Sequence, residues 1–184
     1  MKDEELMWEV DGKEMLLHTP IYDVEKRLEH SATGIKGEYV VINAVEWVSI
    51  VAVYRDNFVL VRQYRHGYEN ITAEFPGGMC DEGEDPIEGA VRELEEETGF
   101  KAGKVTLLGK CNPNPALFSN EITFILAEDL TQTNIQHLDS DEVLDFTLAP
   151  IDEVINSFCR GEYVNAFMGT ALALYMREKM LKKD

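Results

Sequence analysis

Cysteine is scarce: Cys80, Cys111 and Cys159 are the only three in 184 residues. The count is odd and no apolar leader-like segment opens the chain. Both features predict a reducing, cytoplasmic setting without a disulfide framework. None of the three cysteines has a zinc-ligand spacing, and His18, His30, His66 and His137 are scattered, which argues against structural zinc. No apolar run approaches the roughly 20 residues a spanning helix needs. Basic residues are also few: 17 Lys and Arg stand against 35 Asp and Glu, a net charge of -18. A broad nucleic-acid footprint needs clustered cations, so nucleic acid is not an expected partner. An anionic membrane surface is disfavoured for the same reason. Internal repeats and low-complexity tracts are absent.

Hydrophobic residues make up 45% of the chain, enough for a sizeable core. The length suits one main domain, taken as residues 45–184, with a smaller appendage over 1–44. The appendage reads as short strands. Leu6 to Val10 and Met15 to His18 flank Asp11-Gly12, a hairpin signal. Ile21 to Glu29 alternates imperfectly, Ser31 to Gly37 is a polar turn, and Glu38 to Asn43 is another strand. This segment has few core candidates, so it is expected to pair with the main sheet or with another copy of the chain.

From Ala44 the β signal strengthens, with strands expected to Tyr54 and over Phe58 to Tyr64, Val105 to Cys111, Glu121 to Ala127 and Val143 to Leu148. Arg65 to Asn70 and Asn112 to Asn120 read as loops. Helices are expected from Pro86, from Ile151 to Cys159, and from about Asn165 to Leu181. Strands around two or three helices, without a regular βαβ period, predict an α+β fold: a mixed sheet with helices on both faces, plus N-terminal antiparallel strands.

The most informative stretch is Gly78 to Phe100. Asp85 is a good N-cap, Pro86 suits the first helical position, Glu88 completes an Asp-x-x-Glu approximation to a capping box, and Gly99 is placed to end the helix. Ala90, Val91 and Leu94 can form a buried stripe. Glu93, Glu96 and Glu97 then share one face and one turn. Like charges at that spacing destabilise a helix by a few tenths of a kcal/mol per pair, and by more when partly buried. Either solvent screens them, as on most charged helix faces, or a cation sits between them. Hard divalent ions prefer such oxygen sets. Asp81 to Asp85 lacks the twelve-residue ligand pattern of a calcium loop.

This stretch resembles the Nudix box, G-x5-E-x7-R-E-U-x-E-E-x-G-U, where U is a large apolar residue. Gly78, Glu84, Arg92, Glu93, Leu94, Glu96, Glu97, Gly99 and Phe100 occupy every fixed position. The resemblance implies an α/β/α sandwich from about residue 44 onward and hydrolysis of a nucleoside diphosphate linked to another group. It implies Mg²⁺ or Mn²⁺ held by Glu93, Glu97 and the Gly77 carbonyl, with Glu96 ligating directly or through water. Arg92 would orient the glutamates, and Glu84 would position Arg92.

The flanks resemble the ADP-ribose pyrophosphatase branch. Gln63-Tyr64-Arg65 and Glu74-Phe75-Pro76-Gly77-Gly78 are similar to its Q-x-R and E-x-P-A-G segments, with Gly77 a mild change from the usual Ala. Pro115 stands where the branch carries a proline, although its usual Ser-Pro-Gly is replaced by Asn114-Pro115-Ala116. Ser119-Asn120-Glu121 resembles its S-x-E element. The resemblance implies that Arg65 binds phosphate or ribose and that Glu74 contacts substrate or metal-bound water. Read from the residues themselves, Arg62 on the neighbouring strand and Phe118, a loop aromatic that could stack on a base, are further substrate candidates. Trp47 could stack on a base or belong to the core. Asp139-Ser140-Asp141-Glu142 resembles an acidic loop that supplies the general base, assigned here to Glu142. Glu142, Glu96 and Arg92 thus form the expected catalytic set. Members of the branch dimerise through N-terminal strands, so a homodimer is implied. The expected substrate is a nucleotide sugar, ADP-ribose or an ADP-sugar first. The alternatives are a nucleoside triphosphate or dinucleoside polyphosphate hydrolase, or a nucleotide-sugar sensor without turnover.

Overall fold

The structure is a computed structural model that describes residues 2–133, 135–138, 140 and 142–182. The chain divides into two units, Met1–Val45 with Asn112–Glu121, and Glu46–Cys111 with Ile122–Asp184.

In the first unit, β1 (Trp8–His18), β2 (Tyr22–Ser31) and β3 (Lys36–Ala44) form an antiparallel sheet in that order. Asp11-Gly12 is not a turn. β1 runs straight through it, with both halves paired to β2 from Trp8↔Ser31 to His18↔Asp23 and a shift of register between Val10 and Gly12. An Asp-Gly pair serves a bulge as well as a hairpin, and the longer partner strand decides between them. The reversal comes at Thr19-Pro20-Ile21. There the Thr19 hydroxyl donates to the Tyr22 carbonyl (2.6 Å) and accepts from the Tyr22 amide (3.0 Å). The segment Asn112–Glu121 is tied to β3 by Ile42 N–H to the Leu117 carbonyl (2.7 Å) and Ser119 N–H to the Ile42 carbonyl (3.0 Å). The three strands therefore pair with each other and not with the main sheet.

The second unit is built on β4 (Trp47–Tyr54), β5 (Asn57–Arg65), β6 (Asn70–Glu74), β8 (Lys104–Cys111), β9 (Ile122–Glu128) and β11 (Leu144–Pro150). Two short strands, β7 (Phe100–Lys101) and β10 (Thr131–Gln132), pair separately. The order β11-β5-β4-β9-β8 contains one parallel pair, β4 with β9, so the sheet is mixed. β6 was not foreseen. The expected loop ends at Asn70 and no strand is expected just beyond it, yet Ile71 and Ala73 alternate with Asn70, Thr72 and Glu74, and the stretch pairs with β5 from Val61↔Glu74 to Arg65↔Asn70.

Strand alternation splits the core in two. Val51, Phe58, Leu60, Phe124 and Leu126 face α2 (Ile151–Ser157) and α3 (Ala166–Leu181), which add Val154, Met168, Ala171 and Leu172. Ile50, Ala52, Val59, Ile125 and Ala127 face α1 (Pro86–Thr98), which adds Ala90 and Leu94. The result is the expected α/β/α sandwich. Each fully buried Leu, Ile or Phe contributes roughly 1.5–3 kcal/mol. Trp47 belongs to this packing, with its ring 5.7 Å from that of Phe167. Among the described residues, no helix is long and apolar enough to cross a membrane.

One detail of the sheet positions the site. β4 pairs with β5 only over Ala52–Tyr54. Where β5 leaves, the chain after β6 takes its place on β4: Ile50 N–H donates to the Pro76 carbonyl, Val48 N–H to the Gly78 carbonyl and Cys80 N–H to the Glu46 carbonyl, each at 2.9 Å.

Candidate active site

α1 forms where the sequence predicts it. The Asp85 carboxylate accepts from Ile87 N–H (2.8 Å) and Glu88 N–H (3.3 Å), and Gly99 closes the helix at φ 67°. Its inner face buries Ala90 and Leu94, and the same rotation carries Glu93 and Glu97 inward.

Glu97 is 2% exposed. Its carboxylate accepts the Gly77 amide at 2.9 Å. Burial, then the charges of Glu93 and Glu142, push its pKa up to about 8 against that hydrogen bond. Burial likewise raises Glu93 to about 7, with Glu96 and Glu142 adding to the shift and Arg92 opposing it. Cys80, close by, is raised to about 11, chiefly by burial, and is not a nucleophile near neutrality.

Arg92 is the brace of this cluster. Its Nε and Nη2 grip Glu84 at 2.9 and 3.0 Å, while Nη1 reaches Glu93 at 3.1 Å and Glu96 at 2.8 Å. The Arg92 guanidinium, then the Asp81 amide, hold Glu84 down at about 2. Two glycines make room for these carboxylates. A Cβ on Gly78 would stand 2.6 Å from Glu93 Oε1, and one on Gly89 would stand 2.8 Å from Glu84 Oε2.

Arg65, at the end of β5, pairs with Glu74 through Nε (3.0 Å) and Nη2 (2.7 Å). Glu74 is 4% exposed, while the Arg65 side chain is 45% exposed. Burial opposes ionisation of Glu74, but Arg65, Thr72 and Asn165 outweigh it and hold the pKa below the ordinary value. Glu74 raises Arg65, and the charge of Glu97 adds to the effect, so Arg65 lies within electrostatic reach of Glu97 on α1.

The structure thus brings together Gly77, Arg92, Glu93, Glu96, Glu97, Glu142, Arg65 and Glu74. It does not bring Arg62 there. On a strand, positions 62 and 65 point to opposite faces, and Arg62 pairs with Glu162 at 3.0 Å, on the α2–α3 connection. Phe118 belongs to the first unit, where its amide donates to the Asn114 carbonyl at 2.8 Å. Glu142 is described, but Asp139 and Asp141 of the same acidic loop lie outside the described residues. Glu74, expected at the substrate, already accepts four hydrogen bonds within the protein: two from Arg65, one from Thr72 and one from Asn165. Sequence reading missed Thr72 and Asn165. Thr72 could have been found two residues before Glu74 on one strand face. Asn165 carried only the signal of a helix N-cap.

A divalent ion fits these residues. The donor set is hard oxygen, and half-buried Glu93 and buried Glu97 are carboxylates of raised pKa. The Pro76 and Gly78 carbonyls are committed to β4, whereas no described hydrogen bond uses that of Gly77. Among the described residues no three acidic, histidine or cysteine side chains already form a cage. Arg92 holds Glu93 and Glu96 instead.

On this architecture one helix presents a cluster of hard oxygen donors, the kind a divalent ion prefers. The family model described as NUDIX domain matches residues 46–166, and the chain belongs to the Nudix hydrolase family. It is 37% identical over 91 residues to ADP compounds hydrolase NudE of Escherichia coli (strain K12), covering 50% of this chain and 49% of that protein. It is 33% identical over 111 residues to an ADP-ribose pyrophosphatase of Bacillus subtilis (strain 168), covering 59% and 60%. The chain therefore spans about half to three-fifths of the length of these curated relatives. A crystal structure of an ADP compounds hydrolase superposes with a TM-score of 0.84 at 28% identity, over 96% of this chain and 95% of that one.

Gly77 is less replaceable than a Gly-for-Ala difference suggests. Its φ is 154°, and a Cβ there would stand 2.2 Å from the Val48 carbonyl oxygen. Gly77→Ala is expected to lose about 1–3 kcal/mol in urea unfolding and to weaken Mg²⁺ binding measured by calorimetry. The raised acids also set a pH dependence. The native state keeps protons on Glu93 and Glu97 that the unfolded chain releases near pH 4.5, so their contribution to stability is full below that pH and lost as pH rises through about 8. In EDTA, the melting temperature of the parent should fall more steeply over this window than that of Glu97→Gln. Equal slopes would show that Glu97 is ionised throughout.

Proposed function

We propose that the chain is a Mg²⁺- or Mn²⁺-dependent pyrophosphatase of nucleoside diphosphate sugars, with ADP-ribose or an ADP-sugar favoured. The observation that carries this reading is the pair of inward-facing, raised-pKa glutamates, half-buried Glu93 and buried Glu97, with Glu97 within electrostatic reach of the exposed cation Arg65. The pair calls for a cation and Arg65 calls for an anion, and a metal-bound pyrophosphate supplies both. The names of the relatives, an ADP compounds hydrolase and an ADP-ribose pyrophosphatase, support the nucleotide class.

Bound by Glu93, Glu97, Glu96 and the Gly77 carbonyl, divalent ions would offset phosphate charge and acidify a water. Arg65 binds a phosphate oxygen. Arg92 keeps Glu93 and Glu96 from collapsing onto other partners. Glu142 takes the proton from the attacking water, whose oxygen joins one phosphorus as the bridging P–O bond breaks. The products are a nucleoside monophosphate and a sugar phosphate. A panel of nucleotide sugars, nucleoside triphosphates and dinucleoside polyphosphates, assayed with Mg²⁺ for monophosphate release, separates the substrate classes. Glu97→Gln should lower kcat/KM at least about 100-fold, beyond the usual cost of disturbing a metal's outer ligands. Glu142→Gln should lower kcat roughly 10²- to 10⁴-fold. Binding of nucleotide sugars without cleavage would instead mark a sensor.

The N-terminal unit is the dimerisation element of this reading. One face of its sheet leaves Leu17, Leu28 and Val40 exposed, and exposed apolar surface marks an interaction site. A second copy of the chain is the partner. Light scattering after gel filtration should give twice the 20.9 kDa chain mass, and Leu17→Glu with Val40→Glu should return it to one. A parent that elutes as a monomer overturns the assignment.

A further inference from the structure

Glu74 is fixed from two directions besides Arg65. Thr72 Oγ1 donates to Oε1 at 2.5 Å, and Asn165 Nδ2 donates to Oε2 at 2.6 Å. Asn165 is at the same time the N-cap of α3, where its Oδ1 accepts Phe167 N–H at 2.8 Å. The amide therefore uses one end to start a helix and the other to hold a carboxylate. The α2–α3 connection that delivers it is tied down twice more. Ala73 N–H donates to the Glu162 carbonyl at 3.0 Å, and Arg62 Nε donates to the Glu162 carboxylate at 3.0 Å. β5, β6 and this connection thus form one hydrogen-bonded frame around Glu74.

That frame leaves Glu74 little freedom to rotate. Both oxygens are saturated, so the carboxylate presents one plane to the guanidinium, and a paired carboxylate and guanidinium share that plane. Arg65 gives Nε and Nη2 to Glu74. No described hydrogen bond uses its Nη1, and the side chain is 45% exposed.

We propose that Asn165, together with Thr72, is a positioning residue for substrate binding: it locks Glu74 so that Arg65 turns its remaining N–H edge to an anionic oxygen of the substrate. Arg62, through Glu162, steadies the connection that carries Asn165, which gives Arg62 a role without substrate contact. The substrate half of this inference rests on the pyrophosphatase reading; the positioning half does not.

Two variants test it. Asn165→Asp keeps a good N-cap but puts a carboxylate where Glu74 needs a donor. Thr72→Val keeps the shape and removes the hydroxyl. The first readout is the Nε–H resonance of Arg65, assigned by its loss in Arg65→Lys. The second is the KM and kcat for ADP-ribose with Mg²⁺. Both variants should shift or broaden the Arg65 resonance. KM should rise about tenfold, the scale of one charge-assisted hydrogen bond, with kcat within twofold and Mg²⁺ affinity unchanged. An unchanged Arg65 resonance with unchanged KM in both variants overturns the proposal, as does a loss confined to kcat. If the parent cleaves no nucleotide sugar, the pyrophosphatase reading falls, and the Arg65 resonance alone decides the positioning.

Discussion

Two carboxylates one helical turn apart, both facing inward, are the constraint on which the second unit depends. Glu93 and Glu97 lose hydration on folding, repel each other, and are raised to about 7 and about 8 as a result. Other features of α1 hold that arrangement in place. The caps at Asp85 and Gly99 secure both ends of the helix, and buried Ala90 and Leu94 press it onto the sheet. Small residues matter as much as large ones here: Gly78 leaves space for the Glu93 carboxylate, and Gly77 lends Glu97 an amide donor. The burial cost is borne by the fold, and a cation bound under the proposed function would relieve it and link stability to binding.

The two arginines nearest the cluster divide the electrostatic work. Arg92 spends its donors on Glu84, Glu93 and Glu96 and has none to spare for a ligand. It explains why Glu84, in the same stretch as Glu97, shifts the opposite way, to about 2. Arg65 commits one edge to Glu74 and keeps the other. On a chain of net charge -18, long-range attraction does not favour an anion. Under the proposed function local cations would do the binding, and the orientation of one half-exposed arginine would matter more than on a basic surface.

What was legible in the sequence was local. α1 announced itself through cap, stripe and terminating glycine, all within fifteen residues, and the contact of Arg92 with Glu84 was implied by the family resemblance. The sandwich followed from strand and helix order. Asp11-Gly12 failed because a turn and a bulge share the same residue preference, and only the pairing partner distinguishes them. β6 failed because its polar half dominates a five-residue strand. Arg62 was grouped with Arg65 by proximity in sequence, although a period of two puts them on opposite faces. Asn165 lies 91 residues from Glu74, and no local pattern reports a contact at that distance.

That last contact says something about how the site comes into being. The glutamates hang from α1, on one face of the sheet. Arg65 is held by Glu74, and Glu74 by the N-cap of α3, whose helix packs on the other face. Between them runs the segment from Pro76 to Gly78, on β4 where β5 has departed. The site is therefore a seam between layers, completed at the point where the sheet opens. Neither helix carries it alone. The relative placement of the glutamates and the arginine therefore depends on both layers staying packed on the sheet.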